Sequence, residues 1–311
     1  MTMLAMGWHA DLINFRKAPY DGQPWILITI TVIWYCILRQ NIVNWYSFLD
    51  EKYGDIVAGP VLAWTFHMIF YHGHSGFCQV LDSTKGFWND MKISNYDKIS
   101  YWEMMPNILK NQLCFLFFGI FAHKLSDGAG WKRATEDYRT DVSWFNSFYE
   151  FLVMAMVYEL IFYSNHRLLH NKKFNFWGLT GGRYFNLYKL FHKMHHTTFA
   201  SVGLSGIYMG TLDCILTQTL PQIVGPTLLN FHPMVLWVGA LVGSVNAVHT
   251  HSGYGCWGMP APHGHELHHS RYTVNYGTGF FDSILGTGLA ESQVEREGFG
   301  MGGRLIAKKA E

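Results

Sequence analysis

Twelve of the 17 histidines fall between positions 166 and 269, and most of them are ordered. His166 and His170 form an HxxxH pattern, His192, His195 and His196 form HxxHH, and His265, His268 and His269 repeat HxxHH. On a helix, residues three or four apart share one face, so each box is expected to aim its imidazoles one way. Neutral imidazole is a good ligand for first-row transition metals. Eight histidines exceed the roughly four to six ligands that fill one metal's coordination shell, so the pattern points to a pair of ions about 3.5–4 Å apart. A structural zinc site would favour cysteine, and none of Cys36, Cys78, Cys114, Cys214 and Cys256 lies inside a box.

Further histidines stand near the boxes. His251, in the run His249-Thr250-His251-Ser252-Gly253-Tyr254, precedes the last box and is expected as a ninth ligand, with His249 as an extra candidate. His263 lies two residues before the last box, and His232 stands before Pro233, where a helix end at an interface is expected. His67, His72 and His74 read as interfacial side chains, and His9 and His123 carry no pattern. Arg167, Lys172, Lys173, Lys189 and Lys193 make the neighbourhood of the first two boxes basic, which suits lipid headgroups or an acidic electron donor.

The elements that position these boxes are expected to be membrane helices. Hydrophobic residues make up 49% of the 311 and charged residues only 14%, against about 25% charged in a soluble domain. A net charge of +1 argues against nucleic acid as a partner. Apolar runs at 25–38, 56–72, 111–123 and 145–163 are the candidate spans. Pro60 interrupts the second, and Glu150 and Glu159 lie in the fourth, Glu150 expected at the interface. A further apolar block at 201–248 is broken by Pro221, Gly225 and Pro226 and reads as a helical hairpin. A hairpin returns the chain to the side it left, so boxes before and after it can meet on one face of the bilayer. The polar segment 73–110 reads as a loop or interfacial helix. Residues 1–24 have no apolar core of a cleavable signal.

The motifs HRLLH at 166–170, FHKMHH at 191–196, THSGY at 250–254 and HELHH at 265–269, followed by Asn275-Tyr276-Gly277, Asp282 and Leu285-Gly286-Thr287, resemble the fatty acid hydroxylase superfamily over about 160–288. That superfamily includes sterol C4-methyl oxidases, sterol desaturases, cholesterol 25-hydroxylase and fatty acid 2-hydroxylases. Two departures stand out: His249 replaces an acidic residue usual two positions before the HSG histidine, and the segment 255–264 is compact.

The resemblance implies an all-α integral membrane bundle with a cytosolic histidine-rich helical cap. It divides into an N-terminal membrane-spanning region at 1–144, a diiron catalytic domain at 145–290 and a flexible tail at 291–311. It further implies two iron ions, O2 as co-substrate, and electrons from NAD(P)H through cytochrome b5 and its reductase. The expected reaction is oxidation of a lipid C–H bond, most simply that of a sterol, with fatty acyl hydroxylation or sterol desaturation as alternatives on the same centre. Glu159, Asp213, Glu266, Asn275 and Asp282 are candidates to hold the far nitrogens of the ligand histidines.

Two rival classes remain open on sequence: a membrane metal-binding or transport protein, and a bis-histidine haem carrier. The last four residues, Lys308-Lys309-Ala310-Glu311, match a dilysine retrieval signal, which implies a multi-pass protein of the endoplasmic reticulum with its active site and C-terminus in the cytosol.

Overall fold

The computed structural model describes residues 25–84, 92, 99–128, 144–175, 184–198, 202–229, 231–254 and 262–289. Four long helices come first: α1 (Trp25–Tyr53), α2 (Leu62–Ser83), α3 (Tyr101–Gly128) and α4 (Trp144–Leu169). A π-helical turn, Val57–Val61, joins α1 to α2 and absorbs Pro60, whose missing N–H a regular helix could not use. Trp237 donates its indole N–H to Ala58 O within this turn (2.8 Å), so the irregular backbone is satisfied from across the bundle.

After α4 the chain is made of short pieces. A π turn (Tyr188–His192), a 3-10 turn (His195–Thr197) and a second 3-10 turn (Gly203–Ile207) lead into α5 (Thr211–Cys214). Another π turn (Ile215–Thr219) continues into α6 (Leu220–Leu228), followed by α7 (Val235–Ser252), α8 (Pro262–Arg271) and α9 (Phe280–Ile284). Among the described residues there is no strand, only the isolated bridges Lys92–Tyr254 and Phe174–Phe185. The described architecture is all-helical, as expected.

Two expectations, the break at Pro221–Pro226 and the place of Glu150, need correction. The hairpin at 201–248 does not break at Pro221–Pro226; α6 runs through them, with Pro221 in its first turn, where no N–H is required, and the chain turns after Leu228. The segment 73–110, expected as a loop or interfacial helix, is helical among its described residues over 73–83 and 101–110, where α2 ends and α3 begins. Glu150 does not face an interface: it is 2% exposed and takes a 2.7 Å ion pair from Arg39, itself fully buried. Residues 1–24, His263's side chain, and Lys308 and Lys309 in the 291–311 tail lie outside the described residues.

Two apolar cores hold the bundle. Val43, Tyr46, Ala58, Met234 and Val238 join α1, the first π turn and α7. Tyr71, Met104, Ile108, Leu204, Ile207 and Val248 join α2, α3, the 203–207 turn and α7. Gly206 lets that turn press on α7, since a Cβ there would meet Ala247 O at 2.8 Å. Among the described residues no helix is long and apolar enough to cross a membrane. The outer faces are nonetheless apolar. Leu109, Leu113, Phe117, Phe121 and Leu125 form an exposed stripe at helical spacing along α3, about 24 Å long.

The buried Arg39–Glu150 pair gives a stability test. Glu150→Ala leaves the guanidinium without its carboxylate and is expected to cost about 3–5 kcal/mol. The double substitution Arg39→Met with Glu150→Leu removes both charges and is expected to recover most of that loss. Thermal unfolding of both variants checks it; equal destabilisation would show that the pair does not act as a unit.

Candidate metal centre

The three boxes and His251 come together in two adjoining groups. His166, His170, His192, His196 and His268 form one; His195, His251, His265 and His269 form the other. Within each group, one ligand nitrogen per residue lies within 4.8 Å of all the others. The groups share a wall, with the rings of His196 and His269 centred 4.5 Å apart and those of His192 and His195 5.4 Å apart.

Each HxxHH box does not aim all its rings one way. The first and last histidines, four residues apart, go to one group, and the middle one goes to the other. His192 and His196 join the five-histidine group while His195 crosses; His265 and His269 join the four-histidine group while His268 crosses. At about 100° per residue, neighbouring positions in the HH pair diverge even when both lie on the inner side of the turn. The middle box is carried by a π turn and a 3-10 turn, not a regular helix. Each box therefore ties the two groups together.

The far nitrogens are held. His166 Nδ1 donates to Tyr276 O (2.6 Å), His268 Nδ1 to Val274 O (2.7 Å), His269 Nδ1 to Thr198 O (2.8 Å) and His251 Nδ1 to Ala247 O (2.8 Å). His192 Nδ1 meets the buried carboxylate of Asp213 at 2.7 Å. A carbonyl only accepts, so in these rings the proton sits on Nδ1 and Nε2 is a bare lone pair. Burial holds His166, His195, His196, His265, His268 and His269 well below the usual imidazole pKa, reinforced for His195, His196 and His265 by neighbouring imidazoles. His251 is lowered by burial to about 4. At neutral pH these rings are uncharged.

The bare nitrogens then face one another. Nε2 of His166 lies 3.0 Å from Nε2 of His192, which lies 3.1 Å from that of His196. His170 Nε2 is 3.1 Å from those of both His196 and His268. In the other group His265 Nε2 is 2.8 Å from His251 and 3.0 Å from His269. At these contacts His166, His251, His268 and His269, each with its proton on Nδ1, present a lone pair, and lone pairs that meet repel. Two cations, one per group, would convert that repulsion into coordination. His170, His195 and His196 have no protein partner at Nδ1, so a cation at Nε2 also settles where their proton goes. The donor set is wholly imidazole, which suits iron among first-row metals.

The expected supporting carboxylates act mostly at one remove. Asp213 touches a ring directly. Asp282 accepts from Tyr276 N (2.8 Å), Gly277 N (2.6 Å) and Thr287 Oγ1 (2.7 Å), and Glu159 accepts from Thr278 N (2.9 Å) and Thr278 Oγ1 (2.7 Å). Asn275, at φ 54°, donates to Gly264 O and Leu289 O. Together they fold the 274–289 segment so that Val274 O and Tyr276 O reach His268 and His166. Glu266 is buried. His249 stands outside both groups, its ring stacked on His74 at 6.0 Å. His67 belongs to a separate network with Ser244 and Gln112, which also bonds His72. His123 pairs with Asp55, and His232 is buried against Tyr46, not at a wet helix end. Sequence reasoning missed Val274, Tyr276, Thr198 and Ala247, because a carbonyl acceptor carries no side-chain signal.

Gly277 tests this support. A Cβ there would sit 2.6 Å from Glu159 Oε1, so Gly277→Ala must part the loop and the Glu159 carboxylate that holds it. Metal retention during dialysis against a chelator is expected to fall about tenfold or more, as for other changes behind metal-ligating histidines. Wild-type retention would show that the loop does not orient His166 and His268.

Comparison with known proteins agrees with this geometry. The fatty acid hydroxylase family model matches residues 151–287. The chain is 25% identical to human fatty acid hydroxylase domain-containing protein 2 over 70% of its length. It is 24% identical to methylsterol monooxygenase erg25B of Aspergillus fumigatus over 86% of its length and 88% of the relative's. It is 32% identical to rat cholesterol 25-hydroxylase over 32% of its length and 38% of the relative's. The chain spans 38% and 63% of the lengths of the macaque and human fatty acid hydroxylase domain-containing proteins 2. No solved structure matches it. Residues 151–287, which contain all nine converging histidines, are a fatty acid hydroxylase domain.

Proposed function

We propose that this protein is a membrane-embedded diiron oxygenase that uses O2 to hydroxylate or otherwise oxidise a C–H bond of a lipid, most simply a sterol. The observation that carries the reading is the convergence of nine imidazoles into groups of five and four. His166, His170, His192, His196 and His268 would hold one iron; His195, His251, His265 and His269 would hold the other. The bound irons supply the activation of O2 that no protein side chain can perform. The protein supplies the rest: Asp213 and the carbonyls of Tyr276, Val274, Thr198 and Ala247 orient the rings, and burial keeps them unprotonated. No serine, cysteine or lysine stands among the nine as a nucleophile.

Sterol oxidation is favoured over fatty acyl hydroxylation because a methylsterol monooxygenase aligns along most of both chains. Desaturation on the same centre differs only in outcome. Electrons would come from NAD(P)H through cytochrome b5 and its reductase. The exposed apolar side chains of α1, α2, α3 and α4, among them Trp45, Phe77, Phe117, Phe121 and Leu160, suit contact with acyl chains. They support a membrane location, proposed as the endoplasmic reticulum with the metal groups facing the cytosol. A transport role would place ionisable groups along a path between faces, whereas these histidines are gathered at one place.

Metal analysis and lipid profiling test the reading. The purified protein is expected to carry two irons per chain, and His195→Ala to lose metal and turnover together; full turnover in that variant would remove His195 from the site. Deletion of the gene is expected to accumulate the sterol substrate, such as a 4-methyl sterol. Loss of hydroxy fatty acids with unchanged sterols would select the acyl alternative.

The buried imidazoles also set a pH dependence. Their folded pKa values lie below 6.5, the value for the exposed ring, so below about pH 6.5 the unfolded chain binds more protons than the folded one. Stability of the metal-free protein is expected to be constant above that pH and to fall as the pH drops below it, followed as Tm from pH 8 to 5. A Tm that rises on acidification would contradict neutral, buried rings.

A further inference from the structure

The proposed reaction consumes electrons that the chain does not hold. Conversion of R–H with O2 to R–OH and water takes up two electrons and two protons, so a one-electron donor must be oxidised twice per turnover. The route by which those electrons reach the buried histidines is a question of which side chains stand between them and solvent.

Two tyrosines bridge that gap. Tyr188 is half-buried, four residues before His192 and on its face of the turn; its ring lies 5.5 Å from that of His170 and 5.6 Å from that of His196. Tyr272 packs on Tyr188 at 5.6 Å and on His196 at 5.0 Å. Tyr272 is held at φ 66°, a conformation uncommon for an aromatic residue. That backbone state, entered as α8 ends, is the one that presents its ring to His196.

The charged residues of the stretch 160–212 are all basic. Lys172 Nζ stands 5.6 Å from the centre of the Tyr188 ring, and Arg167, Lys172, Lys173, Lys189 and Lys193 are all exposed. No Asp or Glu occurs between Glu159 and Asp213. Exposed Tyr184, Phe185 and Leu190 lie in the same stretch, giving an apolar contact surface with cationic side chains beside it, the composition of a transient protein interface. Lipid headgroups would also meet these cations, but they would not require an aromatic path inward.

We infer that this face is the docking site of an acidic one-electron carrier protein, and that Tyr188 and Tyr272 bridge the carrier to His170 and His196. The inference rests on the oxygenase reading. The tyrosines act here as positioning groups in contact with ligand rings, and the lysines as the steering field.

The test uses the full-length iron-loaded protein, with the soluble haem domain of cytochrome b5 as probe and photoreduced deazaflavin as a small chemical reductant. The double charge reversal Lys173→Glu with Lys189→Glu is expected to weaken haem-domain binding about tenfold and to flatten its dependence on ionic strength, while reduction by deazaflavin is unchanged. Tyr188→Leu is expected to leave haem-domain binding intact and slow its reoxidation; Tyr188→Phe, which keeps the ring, is expected to retain the wild-type rate. Equal binding and equal transfer in the charge-reversed and wild-type proteins overturn the docking site. So does a variant that loses only its affinity for phosphatidylserine vesicles, which would make the face a headgroup contact. A wild-type protein that takes no electron even from deazaflavin overturns the oxygenase reading itself.

Discussion

Opposed imidazole lone pairs are the constraint on which the rest of the structure depends. Nitrogens about 3 Å apart, several of them without a proton to share, repel unless positive charge lies among them. Burial keeps the rings neutral, so they cannot relieve the repulsion by protonation without losing the apolar surroundings that exclude water. Each histidine also needs its far nitrogen held, or it would rotate away. The carbonyls of Tyr276, Val274, Thr198 and Ala247 and the carboxylate of Asp213 do this.

The consequences reach outward in shells. Asp282, Glu159 and Asn275 serve the backbone of the 274–289 segment, and that backbone serves His166 and His268. The box at 192–196 faces both groups from a π turn and a 3-10 turn, and the box at 265–269 does so from the regular helix α8. Further away, the Arg39–Glu150 pair and the π turn at Val57–Val61 keep α1, α2 and α4 in register below the site.

Much of this was legible in the sequence because histidine spacing is a local signal. The nine residues that converge are the nine picked out by the three boxes and the position of His251. The all-helical character followed from the apolar runs. What stayed hidden was non-local or belonged to the backbone. Nothing near Glu150 announces Arg39, more than a hundred residues earlier. The crossing of His195 and His268 depends on how distant segments pack around the site, which the spacing does not encode. Pro221 and Pro226 looked like a break, yet α6 runs through both: Pro221 stands in its first turn, where proline loses no hydrogen bond, and Pro226 lies inside the helix. The roles of Tyr188 and Tyr272 emerge only once their rings are seen against His170 and His196.

X-ray absorption at the iron edge of the purified protein tests the central claim most directly. The account predicts iron with a coordination shell dominated by imidazole, four to five nitrogens per ion on average, as groups of five and four require. A porphyrin signature, a shell containing sulfur, or a single iron with oxygen ligands would contradict it.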